Sequence, residues 1–491
     1  MPPTEAESSP PSGWLAKRFP PGLRTKLSWI SLLYLAEGFP FGIVYKVWPV
    51  YFRVHGLDLG SIGLLALLRL PYTLKPAWAP FVDRFGSRQG WILGCELGLA
   101  AVTLLIPLFN PVGPTELLGL TLPLAALWVL LGCFTLFSAT QDVAIDAYAV
   151  DVATPRDSGH INGIRVAAYR AAMQVSGGVL LMLATGPSAD LLQRYPAFRF
   201  WPKISWEAMW VTAGVICLVL GLLAFKSPRV PRPKSLARPD LPAGQLLWVR
   251  AGLGALVLAF VALGFWAGWP TRFKVLAALS VVLFVVSFLN PAMLRWAFTW
   301  QMLPVVLFGL LYKVGDNALG QMVEPFWVDR GFASEIGPVS NIGGLWLTIV
   351  GALLGGVFIA RFGIFRALLW LGLAQLLSNF GYVAVAALDA GRPGLYAASF
   401  VESLTQGLGT AAFLSFLMNL CDKDMAATQF AFLSALFSLT RDLAGALSGF
   451  GVEAWGYTGY FFLTSLLALP GLLLLPLVKN RIREAANGPA D

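Results

Sequence analysis

Charged residues are scarce in this chain. They make up 12% of its 491 residues, against about 25% in an average soluble domain, and hydrophobic residues make up 57%. Mean hydropathy is +0.70. That balance excludes a soluble globular protein. Histidine occurs only as His55 and His160, both at expected helix ends and too far apart to form a ligand cluster. The four cysteines, Cys95, Cys133, Cys217 and Cys421, show neither metal spacing nor a disulfide framework and read as inert thiols. No metal site or cofactor is therefore expected. There is no Walker loop, kinase-like motif or nucleophile elbow. ATP-driven transport by this chain alone is disfavoured, and so is an enzyme.

What the chain does have is long apolar runs. A spanning helix needs about 20 mostly apolar residues. Such runs fall near 27–53, 60–80, 90–108, 118–149, 160–185 and 206–225, then 248–268 and 275–291, then 302–328, 340–360, 364–388, 394–419, 426–450 and 457–478. The expected fold is an all-α polytopic membrane protein of about fourteen helices, grouped six, two, six. Its parts are a tail over 1–26, a first six-helix half over 27–225, a basic linker over 226–247, two extra helices over 248–291, a second half over 292–478 and a tail over 479–491. The linker carries Lys226, Arg229, Arg232, Lys234 and Arg238 among prolines and cannot span. The first tail is Pro-rich and polar, and the run after it is expected to remain as an uncleaved anchor.

The net charge of +9 does not suggest nucleic acid, because the basic residues sit at loop ends and tails. With both termini in the cytoplasm, Arg84, Arg88, Arg156, the linker, Arg361, Arg366, Lys423, Lys479, Arg481 and Arg483 fall on one side. That satisfies the positive-inside rule. Arg272 and Lys274 dissent; they lie between the two extra helices. A weak repeat relates the halves. Asp83-Arg84-Phe85-Gly86-Ser87-Arg88 follows the second helix, and Arg361-Phe362-Gly363-Ile364-Phe365-Arg366 takes the matching place later. This resembles the loop motif of the major facilitator superfamily, whose two halves rock about a central cavity.

Charges inside the runs are the candidates for chemistry. A charged side chain at the helix centre costs roughly 2.5–3.5 kcal/mol on insertion scales, so it faces protein or a water-filled path. Arg69, Arg170, Lys313, Asp316 and Gln406 fall at mid-depth. Glu37, Lys75, Asp142, Asp146 and Arg165 fall in the cytoplasmic third, and Lys46, Glu402, Arg441 and Asp442 toward the outside. Asp142 and Asp146, four apart, share a helix face. Two carboxylates so close repel in a low dielectric, and a proton on one relieves the repulsion. They serve as proton carriers, as a cytoplasmic gate paired with Arg84, Arg156 or Arg165, or simply as capping or solvated groups near a helix end. Lys313 and Asp316, three apart, form either an internal salt bridge or a pair that substrate or a proton contests. Glu402 and Gln406 share a face suited to a proton or to sugar hydroxyls. Lys46, Arg69, Arg170 and Lys313 come from four different helices, a set that suits carboxylate or phosphate ligands. Aromatics cluster near them, among them Tyr34, Tyr45, Tyr72 and Tyr169.

Longer motifs carry a resemblance. They are Tyr72-Thr73-Leu74-Lys75-Pro76-Ala77-Trp78 through Asp83-Arg84, Ser138-Ala139-Thr140-Gln141-Asp142 through Asp146-Ala147-Tyr148, and Tyr169-Arg170 with Val175-Ser176-Gly177-Gly178. Leu311-Tyr312-Lys313-Val314-Gly315-Asp316, Leu408-Gly409-Thr410 and Ala427-Thr428-Gln429-Phe430 complete the set. Together they are similar to the AmpG-type muropeptide permeases, in the peptide and acetyl-coenzyme A transporter branch of the major facilitators. Pro76 and the short loop from Phe85 to Gly90 depart from that pattern. The resemblance implies proton-driven import of anhydromuropeptides (GlcNAc linked to 1,6-anhydro-N-acetylmuramic acid with a stem peptide) by a monomer in the bacterial inner membrane. Arg69, Arg170, Lys313 and Asp316 would then hold substrate carboxylates, and Gln141, Glu402 and Gln406 its polar groups. Asp142 and Asp146 would couple protons or gate. Asp83, Arg84, Arg88 and Arg156 would form the cytoplasmic gate. Rival readings are transport of another anionic solute, such as an acyl-coenzyme A or a siderophore, or a non-transporting sensor.

Overall fold

The computed structural model describes residues 21–57, 65–117, 119–154, 157–187, 192–193, 196–229, 302–332 and 336–487, together with 296 and 299. The expected extra helices over 248–291, the basic linker beyond residue 229 and Arg156 lie outside the described residues.

Six helical segments make up the first half: α1 (Gly22–Val54), α2 (65–84), α3 (Arg88–Leu108), α4 (Leu124–Val152), α5 (Ser158–Thr185) and α6 (Trp206–Phe225). Six make up the second: α7 (303–329), α8 (Gly344–Phe362), α9 (Ile364–Leu388), α10 (Gly391–Leu420), α11 (426–455) and α12 (457–487). Their positions follow the expected runs closely. Among the described residues, eight helices are individually long and apolar enough to cross a membrane. α2 is not among them, because Pro71, Pro76 and Pro80 break it into short α and 3₁₀ turns. α7 is interrupted at Tyr312 and Lys313, where Lys313 leaves helical geometry at φ −109° and ψ 5°. The fourth span starts later than its apolar run. Residues Thr115–Leu117 (β1) and Leu120–Leu122 (β2) form an antiparallel hairpin ahead of Pro123.

Local chemistry sets the helix ends. The Ser87 and Ser205 side chains accept hydrogen bonds from the Gly90 and Ala208 amides and start α3 and α6. α11 and α12 are separated by Gly456, at φ 64° and ψ 172°, a conformation that a residue with a Cβ adopts only under strain.

The loop 83–88, the start of α5, the end of α8 and the start of α11 lie at one end of the bundle, here the basic end. The halves pack closely there. A Cβ added to Gly159 of α5 would lie 2.6 Å from the Gly356 carbonyl of α8, and one added to Gly163 would lie 2.8 Å from that of Ala352. Small residues let the two backbones meet, as in other membrane helix pairs. Ser415 Oγ donates to the Ser158 carbonyl at 3.3 Å, and Asn162 reaches Met418 Sδ at 3.4 Å. Every hydrogen bond between the halves that is described falls near this end. The chain is therefore closed at its basic end.

Candidate functional site

Three tiers of polar residues follow one another from the basic end toward the bundle centre. The first is a latch. Asp83, at the end of α2, accepts from Arg88 at 2.9 Å and from the Ala427 and Thr428 amides at 3.1 and 2.8 Å. Thr428 Oγ1 adds a third bond across the halves at 2.6 Å. The carboxylate thus sits on the N-terminus of α11, where the helix dipole favours negative charge. Arg88 also holds Asp151 of α4 at 3.1 Å and the Val82 carbonyl at 2.8 Å. Of the expected gate residues, Asp83 and Arg88 are joined. Arg84 is exposed instead, because the last turn of α2 points it outward. Asp151 and Thr428 are members that sequence reading missed. Thr428 lay in a quoted motif, but no local pattern links it to Asp83.

The second tier is ionic and almost wholly enclosed. Lys75 of α2 lies 2.6 Å from Asp142 and 3.8 Å from Asp146 of α4. Arg165 of α5 lies 2.6 Å from Asp146, and Tyr34 of α1 donates to the same Asp146 oxygen at 2.9 Å. The Arg165 guanidinium packs over Tyr34 at 4.7 Å and over Phe430 of the second half at 4.8 Å. Glu37 of α1 completes the group. One oxygen each from Glu37, Asp142 and Asp146 lie within 4.8 Å of one another. Exposures of 1% for Asp146, 5% for Lys75, 7% for Glu37 and 8% for Arg165, with the Asp142 side chain at 14%, make this a largely buried charge cluster. Asp142 and Asp146 are together, and Arg165, one of the three expected partners, pairs with Asp146. A lysine from α2 between them was not foreseen.

The third tier is aromatic and basic. Phe41 stacks on Tyr45 at 4.1 Å and meets Tyr72 and Tyr169 at 5.2 and 5.5 Å. Arg69 lies over the Tyr45 ring at 4.0 Å. Tyr72 donates to Ser138 at 2.7 Å. α1 and α5 each carry a π-helical turn beside this tier, Ile43–Val47 and Val175–Leu180, and such turns re-aim side chains and recur at functional sites. Arg170 lies in electrostatic reach of Glu402 and Arg441 from the second half. Gln406 donates to Glu402 at 3.3 Å. Arg69, Arg170, Glu402 and Gln406 are each partly exposed.

Three expected substrate contacts point elsewhere. Gln141 is fully buried and donates to Glu96 of α3 at 2.7 Å. It faces away from its neighbour Asp142 because successive helix residues turn by about 100°. Lys313 and Asp316 bond each other at 2.9 Å. They are tied to α9 as well: Lys313 donates to Gln375 at 2.7 Å, and Asn379 donates to Asp316 at 3.3 Å. This is an internal pair at the α7 break, bearing on the centre through Glu402.

Glu96 had no signal beyond being an acid inside an apolar run. Its Oε2 and the Gln141 Oε1 are both buried and, among the described residues, without a partner. An amide in place of the acid pairs with Gln141 equally well. Glu96→Gln is therefore expected to keep the thermal stability of the protein in detergent. Glu96→Leu strands the Gln141 amide and is expected to lose about 1–3 kcal/mol.

The comparisons agree with this architecture. The model of the Major Facilitator Superfamily matches residues 30–441. The chain is 31% identical over 457 residues to the "Anhydromuropeptide permease" of Escherichia coli strain K12, covering 91% of this chain and 78% of that one. It is 26% identical over 465 residues to "Putative transporter AmpG 4" of Rickettsia conorii, covering 92% and 96%. Among solved structures, the proton:xylose symporter XylE matches with a TM-score of 0.61 at 13% identity, over 94% of this chain and 95% of that chain. The human organic anion transporter MFSD10 matches with a TM-score of 0.61 at 14% identity, over 93% and 100%. These likenesses at low identity establish the fold. The chain is a multi-pass membrane protein that belongs to the major facilitator superfamily and, within it, to the anhydromuropeptide permease family.

Proposed function

We propose that this protein imports anhydromuropeptides across the bacterial inner membrane, driven by protons, as a monomer with both termini in the cytoplasm. The observation that carries the reading is the stacked order of the site. A latch at the basic end lies next to a buried charge cluster, and that cluster lies next to an aromatic and basic centre. The positive-inside rule puts the basic end in the cytoplasm. The latch is then the inner gate, and this conformation is the one poised to load from outside. A muropeptide carries sugar rings and peptide carboxylates. The rings suit Phe41, Tyr45, Tyr72 and Tyr169, and the carboxylates suit Arg69 and Arg170. Glu402 and Gln406 supply hydrogen bonds from the second half. Asp142 and Asp146 belong to the coupling cluster, and Asp83 and Arg88 to the gate. Arg84 and Arg156 remain in the proposal as basic residues at the cytoplasmic face.

The test is competition for uptake of labelled anhydromuropeptide in vesicles containing the full chain. Unlabelled anhydromuropeptide should compete and acyl-coenzyme A should not. Uptake absent altogether, or blocked equally well by acyl-coenzyme A, would sink the assigned substrate.

A further inference from the structure

We infer that Glu37 is the group that carries the exchangeable proton of the buried cluster, and that Asp142 and Asp146 are its fixed counter-charges. The inference rests on the coupling role proposed above and names the atom responsible. Three carboxyl groups meet two cations in this tier. Both cations are committed to α4: Lys75 to Asp142 at 2.6 Å and to Asp146 at 3.8 Å, and Arg165 to Asp146 at 2.6 Å. Tyr34 also donates a hydrogen bond from its hydroxyl to Asp146. Among the described residues, no cation lies in ion-pair range of Glu37. Its Oε2 is buried and has no hydrogen-bond partner, while Glu37 and Asp142 lie within hydrogen-bonding reach of each other.

The groups that face Glu37 are Tyr34 on its own helix, Tyr72 and Lys75 on α2, Asp142 and Asp146 on α4, and Arg165 and Tyr169 on α5. From the second half, Phe430 covers Arg165, with Cys421 and Asp422 beyond it. Nothing in that set supplies a third positive charge. One proton on Glu37, donated toward the Asp142 carboxylate, makes the enclosed tier neutral. Loss of that proton to water leaves one uncompensated negative charge in a largely buried site. An unpaired buried charge is costly, so the deprotonated tier drives toward hydration. Hydration here means parting Arg165 from Phe430, which opens the basic end. Protonation and closure of the basic end are therefore one event. Asp142 and Asp146 cannot take this role without first giving up a cation.

The test uses the full chain in proteoliposomes with spin labels at positions 84 and 423, both exposed at the basic end. In the otherwise wild-type protein, the closed fraction should fall as pH rises. In Glu37→Gln it should stay high at every pH. Glu37→Gln should also lose gradient-driven accumulation by at least about tenfold, a change of about 1.4 kcal/mol, and substrate exchange without a gradient should fall with it. Infrared difference spectra across the titration should show a protonated carboxylic acid band that disappears in Glu37→Gln. If that variant misfolds, Glu37→Asp serves, and its closed fraction should titrate over a displaced pH range. An acid band that persists in Glu37→Gln overturns the proposal. So does an unaltered titration of its closed fraction, or closure that follows sodium instead of pH. The label and infrared readouts need no muropeptide, so failure of the substrate assignment and failure of this inference are separable.

Discussion

Lys75→Met is expected to abolish gradient-driven uptake and to destabilise the protein by about 3–5 kcal/mol, the usual consequence of removing one member of a buried ion pair. The magnitude follows from what remains. Lys75 is the only described cation in ion-pair range of Asp142, and it bridges toward Asp146 as well. Without it, Arg165 alone faces three carboxyl groups. Two protons must then be bound where one sufficed, and the second half loses a neutral surface to close upon. Lys75→Arg should fail almost as badly. A planar guanidinium does not fit the point-charge position between two carboxylates one turn apart. The discriminating variant is the double substitution Lys75→Met with Asp142→Asn, which removes one charge of each sign. Thermal unfolding in detergent should show it to be well above the sum of the two single losses. Simple additivity would mean that Lys75 and Asp142 do not act as a pair.

Asp83→Ala is expected to shift the closed-to-open ratio at the basic end by on the order of 100-fold toward open. Asp83 makes three hydrogen bonds to α11, two of them to backbone amides in its first turn. Bonds to a charged group contribute about 1.5–3 kcal/mol each when counted singly. Water takes over part of that once the end opens, so about 3 kcal/mol is a fair figure for the set. At 1.4 kcal/mol per tenfold, this is the stated shift. Asp83→Asn should shift the ratio by less than Ala does, because its Oδ1 still accepts from one α11 amide while its NH₂ faces the other. Spin-label distances between positions 84 and 423 report the change directly. Distances that stay closed in Asp83→Ala would remove the latch from the mechanism.

Much of the fold was legible because apolar runs of spanning length have one physical meaning. The misjudged points have local causes. Three prolines fragment α2 while its composition still reads as a span. The break in α7 has no proline or glycine at Tyr312 or Lys313. It arises where Gly471 of α12 lets that backbone pass against Tyr312, a contact between residues far apart in sequence. In the site, spacing alone brought Asp142 together with Asp146, and Lys313 with Asp316. Spacing could not say which way each pair faces. Gln141 was expected to meet substrate, yet the helix turn between it and Asp142 sends it to Glu96. Lys75 and Glu37 were seen at the right depth, but depth does not reveal convergence. Only the packing of α1, α2, α4 and α5 places one lysine, one arginine and three acids in one tier.

The most direct test of the account is accumulation of labelled anhydromuropeptide by the wild-type chain in proteoliposomes of defined orientation, with and without an inward proton gradient. Coupling through the buried tier predicts accumulation above equilibrium only with the gradient, together with stoichiometric alkalinisation outside. Equal uptake in both conditions, with no proton movement, would contradict it.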